Sequence, residues 1–501
     1  MAELTNTRSK SKNTAYYIKS VIGLVIMIFF GYLPAPAPIT QVGMHVLGQF
    51  IGLVFLWTFV DMVWPTFAGI LMFGFVAQSV YPNSFAMHSM YEAGSQSIGH
   101  WVTVIVLNML ILCDVLNETG IIKRVALWFL TRKIAKKSPW GFTFMYLLAA
   151  LVIGMLMDVT PAQVFMLALA KEIFSVLRVD KDDLWTRVIT IGSTFTVVIM
   201  FAATPVCHTL AILFMGVYSA ISGVSVNWIS YMLVAIPVCV VMWLIMIAFL
   251  RFIVKPDMSK LENTDFSAIS NMREKMGKMD KRERTVAVVS IVLVIVWLLP
   301  GFLSLLAPGS ALAVWLDDIT MLAPMLAAIV FLAIVHIEGK PILDIAKATK
   351  SVSFHIIFLL AGIMMISSAV GEAPTGISDW VHEFVAPIVS GMSPLLLIAF
   401  FTLAGVFLTN LCNNVPVGII LISVAVPVSL QMGLNPFIPV VAIAIAANMA
   451  FVIPPAMAPV GYCYADPFGG PKHTFRWGLV TALISVIVIS LLAYPLGLLF
   501  G

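Results

Sequence analysis

The sequence predicts an all-α polytopic membrane protein built as an inverted repeat, with about eleven spanning helices and two re-entrant hairpins. Three observations predict it. The 501 residues are 61% hydrophobic and only 10% charged, whereas a soluble domain carries about 25% charged residues. Mean hydropathy is +1.04. Short motifs recur at one register: Thr119-Gly120-Ile121 with Thr375-Gly376-Ile377, Asp158-Val159-Thr160-Pro161 with Asn413-Asn414-Val415-Pro416, and Thr204-Pro205-Val206 with Ala458-Pro459-Val460. Matches on one register mean a duplicated unit of half the chain. The charges, finally, gather in a few segments.

In chain order, the first apolar run follows a basic tail (Arg8, Lys10, Lys12, Lys19). Ala35-Pro36-Ala37 fits a signal-peptide cleavage site formally, but prolines crowd the stretch and Pro38 follows at once. Residues 1–44 are therefore read as a cytoplasmic tail, a first helix and its exit loop. The first repeat covers 45–254 and the second 286–501, with a mixed-charge cytoplasmic linker at 255–285. Apolar runs near the ~20-residue spanning length recur in both, for example at 286–305 and 479–500. The linker's charges from Arg273 to Arg284 are interspersed in sign, which reads as a solvated helix.

All 28 Lys and Arg lie in the tail or at 123–137, 171–187, 251–284, 340–350 and 472–476. The positive-inside rule makes these segments cytoplasmic, with the N-terminus inside and the C-terminus outside. The apolar run at 140–157 then has to return to the side it left. A re-entrant hairpin that turns at Asp158 to Pro161 does this. Its mate, about 395–428, dips from the other face and turns at 412–416. An ordinary pair of spanning helices is the alternative.

Irregular backbone at membrane depth is tolerated only where it is buried in protein or lines a cavity. Pro161 and Pro416 suit the first turn of a return helix, where a missing N–H costs nothing. Two helix N-termini near the midplane make an electropositive pocket without Lys or Arg, which suits a carboxylate or other oxyanion. Thr160, Asn413 and Asn414 add neutral donors and acceptors, with Val415 between them and Pro416. Thr204, Pro205, Ala458 and Pro459 break their helices and complete the substrate-binding set. Asp158 is a carboxylate inside the membrane, an expensive group that is usually functional. It would repel an anion, so it suits a coupling cation or proton; a helix cap is the structural alternative. Thr160 and Asn414 join it in the coupling-cation set. His208 beside the first break suits a hydrogen-bonded core residue or a proton shuttle. Asp61, Asp114 and Glu118, at the ends of apolar runs, suit packing roles. The five cysteines have no paired spacing and read as buried thiols, with no metal site.

These residues resemble the divalent anion:sodium symporter family of the ion transporter superfamily. The resemblance covers nearly the whole chain. It is carried by Leu33-Pro34-Ala35-Pro36, Thr375-Gly376-Ile377, the stretch FLTNLCNNVPVGIILISVAVPV at 407–428 and AANMAFVIPPAMAPVGYCYADPFGG at 446–470. It implies an inverted-repeat transporter, usually a homodimer, whose transport domain moves by an elevator mechanism. The implied substrates are di- and tricarboxylates or sulfate, taken up with sodium or by exchange. It also implies Ser-Asn-Thr at each tip. The first tip reads Asp158-Val159-Thr160 and keeps only the threonine; the second reads Asn413-Asn414-Val415 and keeps only asparagine. The chain thus resembles a divergent branch.

The expected function is a plasma-membrane (cell inner membrane) permease for small anions, driven by a sodium or proton gradient or by exchange. The alternative is a cation/proton antiporter of the same superfamily, with Asp158 as the exchange site. No H-E-x-x-H, G-x-S-x-G or P-loop pattern occurs, which argues against an enzyme or an ATP-driven pump. No cofactor is expected. The expected partners are the anion, Na+ or H+, the lipid bilayer and a second copy of the chain. The net charge of +4 sits in loops and is no nucleic-acid signal.

Overall fold

Helices make up most of the described chain. Among the described residues the only strands are the short antiparallel pair His336–Ile337 and Lys340–Pro341. The structure is a computed structural model. It describes residues 2–501 apart from 62, 78–88, 207, 263–266, 307–309, 320–321, 353, 378, 381–382, 384–386, 388–390, 412–413 and 455–456.

Eight described helices are long and apolar enough to cross a bilayer: Thr14–Tyr32, Gln41–Phe59, Pro139–Leu156, Val159–Leu177, Leu184–Phe201, Trp228–Val254, Asn414–Gln431 and Pro471–Phe500. The number rises to 10 if two bent pairs each count once, Trp101–Leu116 with Ile121–Leu130 and Ile345–Ser351 with Phe354–Val370. The outer helices carry apolar side chains outward. Along Pro471–Phe500, Leu479, Leu483, Ile487 and Leu491 recur every fourth residue and are 48% to 62% exposed. A stripe of that kind on each outer helix is a surface for lipid rather than water. The chain is a multi-pass membrane protein.

Two helices run through the interior. In Leu184–Phe201 all residues but Leu184 and Arg187 are buried, and in Phe437–Ala446 every residue is. They stand at equivalent places in the two halves of the sequence. Each is flanked by two arms of its own half. Leu184–Phe201 packs on Pro139–Leu156 and Val159–Leu177, and Phe437–Ala446 packs on Pro394–Thr409 and Asn414–Gln431. The arms of the first pair fold back on each other. Tyr146, 11 residues before Met157, donates at 2.6 Å to the carbonyl of Met166, nine residues after it. Phe142 and Phe174, at the far ends of the arms, both meet the ring of Trp185.

The halves then cross over. The helix after the first break, Thr209–Ser222, packs on Asn414–Gln431 and Phe437–Ala446; the helix after the second break, Ala458–Ala465, packs on Val159–Leu177 and Leu184–Phe201. Gly418 has no side chain where the Phe214 ring lies. Phe174 meets Phe468 at 4.8 Å, and Phe195 meets Phe451 at 5.0 Å.

The Thr-Gly-Ile motifs are reciprocal braces. The backbone N–H of Thr40, before the Gln41–Phe59 helix, donates to the Thr375 carbonyl at 3.0 Å, and its hydroxyl donates to Pro374 at 2.6 Å. Gly376 has φ +65° and lies against the Pro38 carbonyl, where only glycine fits without strain. In the other direction, Gly120 lies against Glu283, at the start of the Lys281–Leu306 helix. Arg124 binds that Glu283 carboxylate at 2.9 Å and donates to the Gly277 carbonyl at 2.7 Å.

The charges from Arg273 to Arg284 are exposed except Arg282 and Glu283, so the linker is solvated there as expected. It forms the short helices Ser259–Glu262 and Ser267–Lys275. Arg273 donates to Thr131, and Arg282 pairs with Glu118 at 2.7 Å. Lys347 also binds Glu118, and these two cations hold its carboxyl below the usual carboxylate range. Asp114 accepts from Ser351, and Asp61 accepts from the Val63 and Trp64 N–H groups. With Lys123–Glu172 at 3.4 Å and Lys171–Asp466 at 2.6 Å, these contacts gather 118–137, 171–187, 273–284 and 466–469 on one face. Cys239 and Cys463 are free and buried, as expected. Cys113 is disulfide-bonded, which corrects the expectation of a free thiol there.

Candidate functional site

The first tip forms because Pro139–Leu156 ends at Met157 and a new helix starts at Val159. Asp158 is its N-cap, accepting the Thr160 N–H at 3.2 Å. Capping satisfies one of the orphan donors of the helix start. Pro161 lies in that first turn, at a place where no hydrogen bond is lost. Asp158, Thr160 and Pro161 are all half-buried.

The first break lies directly on this tip. Leu184–Phe201 stops at Ala202, because Pro205 cannot donate and disfavours helix in the residue before it. The Thr204 hydroxyl donates to the Met155 carbonyl at 3.0 Å. His208 Nε2 lies 3.0 Å from the Met157 carbonyl, and Nδ1 lies 2.7 Å from the Thr204 carbonyl. Tyr231 donates to the freed carbonyl of Ala202 at 2.6 Å.

The second tip separates Pro394–Thr409 from Asn414–Gln431, and Pro416 again sits in the first turn of the return helix. Asn414 and Pro416 are buried and Val415 half-buried; Asn413 lies outside the described residues. The Thr409 hydroxyl is 2.8 Å from Asn414 Oδ1 and 2.6 Å from the Ala447 carbonyl. Its single proton joins tip to break. Asn410 does more. Its amide donates to Met449 at 2.8 Å, and its carbonyl accepts from Phe451 and Val452, both at 2.8 Å. Three backbone groups of the unwound stretch after Phe437–Ala446 are thus satisfied by one side chain. Asn448 Oδ1 is buried without a protein partner. Ala458 and Pro459 open the next helix, with Pro459 in its first turn.

Each tip therefore meets the break of its own half, and the helices leaving the breaks carry each half against the other half's hairpin. None of these hydrogen bonds runs from tip to tip. Sequence reasoning missed Asn410 and Thr409. The signal was present as two polar residues closing an otherwise apolar run at 394–411. Among the described residues no group of His, Cys, Asp and Glu is arranged to hold a metal ion.

Comparison with known proteins agrees with this architecture. Residues 14–499 match the family model described as sodium:sulfate symporter transmembrane region. The sodium-dependent dicarboxylate transporter SdcS of Staphylococcus saprophyticus is 23% identical over 291 residues, 56% of this chain and 53% of that protein. SdcS of Staphylococcus aureus strain USA300 is 22% identical over the same shares. The chain spans about half the length of these curated relatives. Among solved structures, the YdaH transporter of Alcanivorax borkumensis matches with a TM-score of 0.55 at 15% identity, over 96% of this chain and 97% of that one. MtrF of Neisseria gonorrhoeae, an antimetabolite efflux pump, matches at 0.54 and 15%, over 96% and 94%. At that identity the two structures speak for the fold alone. The family match runs almost end to end, and by it the chain belongs to the sodium:sulfate symporter family.

Proposed function

We propose that the chain is a secondary active transporter for small di- or tricarboxylates or sulfate, driven by a sodium or proton gradient or by exchange. The observation that carries this reading is the pairing of each hairpin tip with a helix break, twice, at equivalent places. Each tip presents the N-terminus of a helix, Val159–Leu177 or Asn414–Gln431, beside Thr160 or Asn414. These ends attract an anion without a Lys or Arg to hold it too tightly for release. Relatives named as sodium-dependent dicarboxylate transporters support the substrate class and the ion.

In this reading the two repeats are 45–254 and 286–501, the hairpins are re-entrant, and the spans number about eleven. The basic face is cytoplasmic, with the N-terminus inside and the C-terminus outside. The tips and breaks move together past a scaffold of the remaining helices, in an elevator motion within a homodimer of the plasma membrane. Asp158 supplies negative charge that draws the coupling cation to the first tip. The test is uptake of labelled succinate, citrate and sulfate into proteoliposomes, with sodium and proton gradients imposed separately. Accumulation of at least one anion under one gradient is expected. No accumulation of any under either gradient, and no exchange, would refute it.

A further inference from the structure

Residues 119–157 carry six cations and no acidic residue: Lys123, Arg124, Arg132, Lys133, Lys136 and Lys137. The first two are answered within the protein, Lys123 by Glu172 and Arg124 by Glu283. Among the described residues the other four meet no carboxylate, and neither does Arg251. Arg132 stands out among them. Its guanidinium carbon lies 3.5 Å from the centre of the Trp128 ring, and its Nε is buried with no hydrogen-bond partner among the described residues. A buried donor left without an acceptor is costly, so the place calls for an acceptor that the protein does not supply.

Lys133–Lys137 is a short helix. Ala135 is buried beneath it, and Lys133, Lys136 and Lys137, three and four residues apart, share its exposed side. Gly141 has no side chain where the Ile134 carbonyl lies, and Ser138 accepts the Gly141 N–H at 3.0 Å. The short helix is thus fixed on the mouth of the first hairpin. Trp140, in the hairpin's first turn, lies 5.7 Å from the Arg251 guanidinium, which is also 5.3 Å from the Phe252 ring. That contact brings the end of Trp228–Val254 to the same patch. Asp257, just beyond it, accepts the Ser259 N–H.

Trp228–Val254 has 27 residues. At ~1.5 Å per residue it is about 40 Å long against ~30 Å of hydrocarbon, so an end of it stands at the level of the lipid headgroups. Apolar side chains lie among the cations there: Trp128 is 43% exposed, Ile134 57%, Phe252 61% and Ile253 73%. A soluble polyanion would pair with the cations and leave these groups in water. An acidic phospholipid offers phosphate to the first and acyl chain to the second, and tryptophan suits that boundary.

We propose that this patch binds an acidic phospholipid. Its phosphate lies among Arg132, Lys133, Lys136, Lys137 and Arg251, and its acyl chains run along Ile134 and Phe252. The lipid fastens the mouth of the first hairpin to the membrane surface, at the opposite end of the arm from Asp158. The inference rests on the membrane-spanning character of the chain, and not on the anion it carries or the ion that drives it.

The test uses the full chain purified in neutral detergent. It is titrated with phosphatidylglycerol or with phosphatidylcholine of the same acyl chains, and bound lipid is measured by native mass spectrometry. Phosphatidylglycerol should bind at least about tenfold more tightly. R132Q, K133Q, K136Q and K137Q combined should remove that preference. K275Q, K278Q, K281Q and R284Q combined, which take as much charge from the linker, should keep it. K136Q with K137Q serves if the first variant is not recovered folded, and should weaken phosphatidylglycerol binding by at least about fivefold. Equal affinity for the two lipids overturns the site, and so does an equal loss in the linker variant. Excess inorganic phosphate should leave phosphatidylglycerol bound; displacement by it would mean that the patch takes a free anion rather than a lipid.

Discussion

Asn410→Ala probes how the second tip is held. The wild-type side chain donates to Met449 and accepts from Phe451 and Val452, and the residue is 7% exposed. Alanine leaves one carbonyl and two N–H groups without their partner. A buried polar group left unsatisfied costs about 1–3 kcal/mol. Three such groups would cost roughly 3–9 kcal/mol in a dry site, and entry of a water or two brings that to about 3–5 kcal/mol. That exceeds what an unwound segment of six residues gains from any single apolar contact, so the break should pull away from the tip. A site formed only in the fastened state then loses affinity by the fraction of molecules still fastened. We expect the melting temperature of the purified protein to fall and anion affinity to weaken by at least about tenfold. Thermal unfolding in detergent and equilibrium binding of labelled succinate, citrate and sulfate measure the two effects. Asn410→Asp is the control, since it keeps the acceptor for Phe451 and Val452 but loses the donor to Met449. Unchanged stability and affinity in Asn410→Ala would refute the view that this amide holds the break.

Three further outcomes are expected. Asp158→Asn keeps a good helix cap but removes the charge, so it should abolish gradient-driven accumulation while sparing substrate binding or exchange; unchanged accumulation with the same ion and pH dependence would make Asp158 a cap alone. Single cysteines at Lys136 and Lys181 should label from the same, cytoplasmic side of intact vesicles, and labelling from opposite sides would mean that the segment between them crosses the membrane an odd number of times. Gly376→Ala should lower thermal stability by about 1–3 kcal/mol, because φ is +65° and the added methyl meets the Pro38 carbonyl; a variant as stable as wild type would remove the brace between the halves from the account.

Much of this arrangement could be read from the residues because it depends on local chemistry. Pro205 and Pro416 act on the backbone within one turn of themselves, so the stop at Ala202 and the start at Asn414 follow from where they stand. Asp158 is a strong capping residue before an apolar run, and the helix begins at the next residue. The repeat register placed a break in each half, at Thr204-Pro205 and Ala458-Pro459, and each of these follows an interior helix. What stayed hidden depends on pairings across the chain. Asn410 reaches residues 41 and 42 positions away, and nothing in its neighbourhood names them. The two carbonyls around His208 come from a tip 51 residues back and a break four residues back. The mixed signs in the linker pointed to a solvated face, and most of those charges are exposed; the partners of Arg273 and Arg282, Thr131 and Glu118, are what composition does not reveal.

The central claim is that both tips touch one anion, and affinity measured at each tip separately tests it most directly. Binding of labelled anion to wild type, Thr160→Val and Asn414→Ala, at fixed sodium and pH, compares a residue of each half against the same ligand. Loss of the Asn414 amide should cost about 1–3 kcal/mol of binding, and loss of the Thr160 hydroxyl somewhat less. Weakened affinity in both variants, with thermal stability retained, is the predicted result. Wild-type affinity in both would contradict the account, and the tips would be structural elements with the anion bound elsewhere.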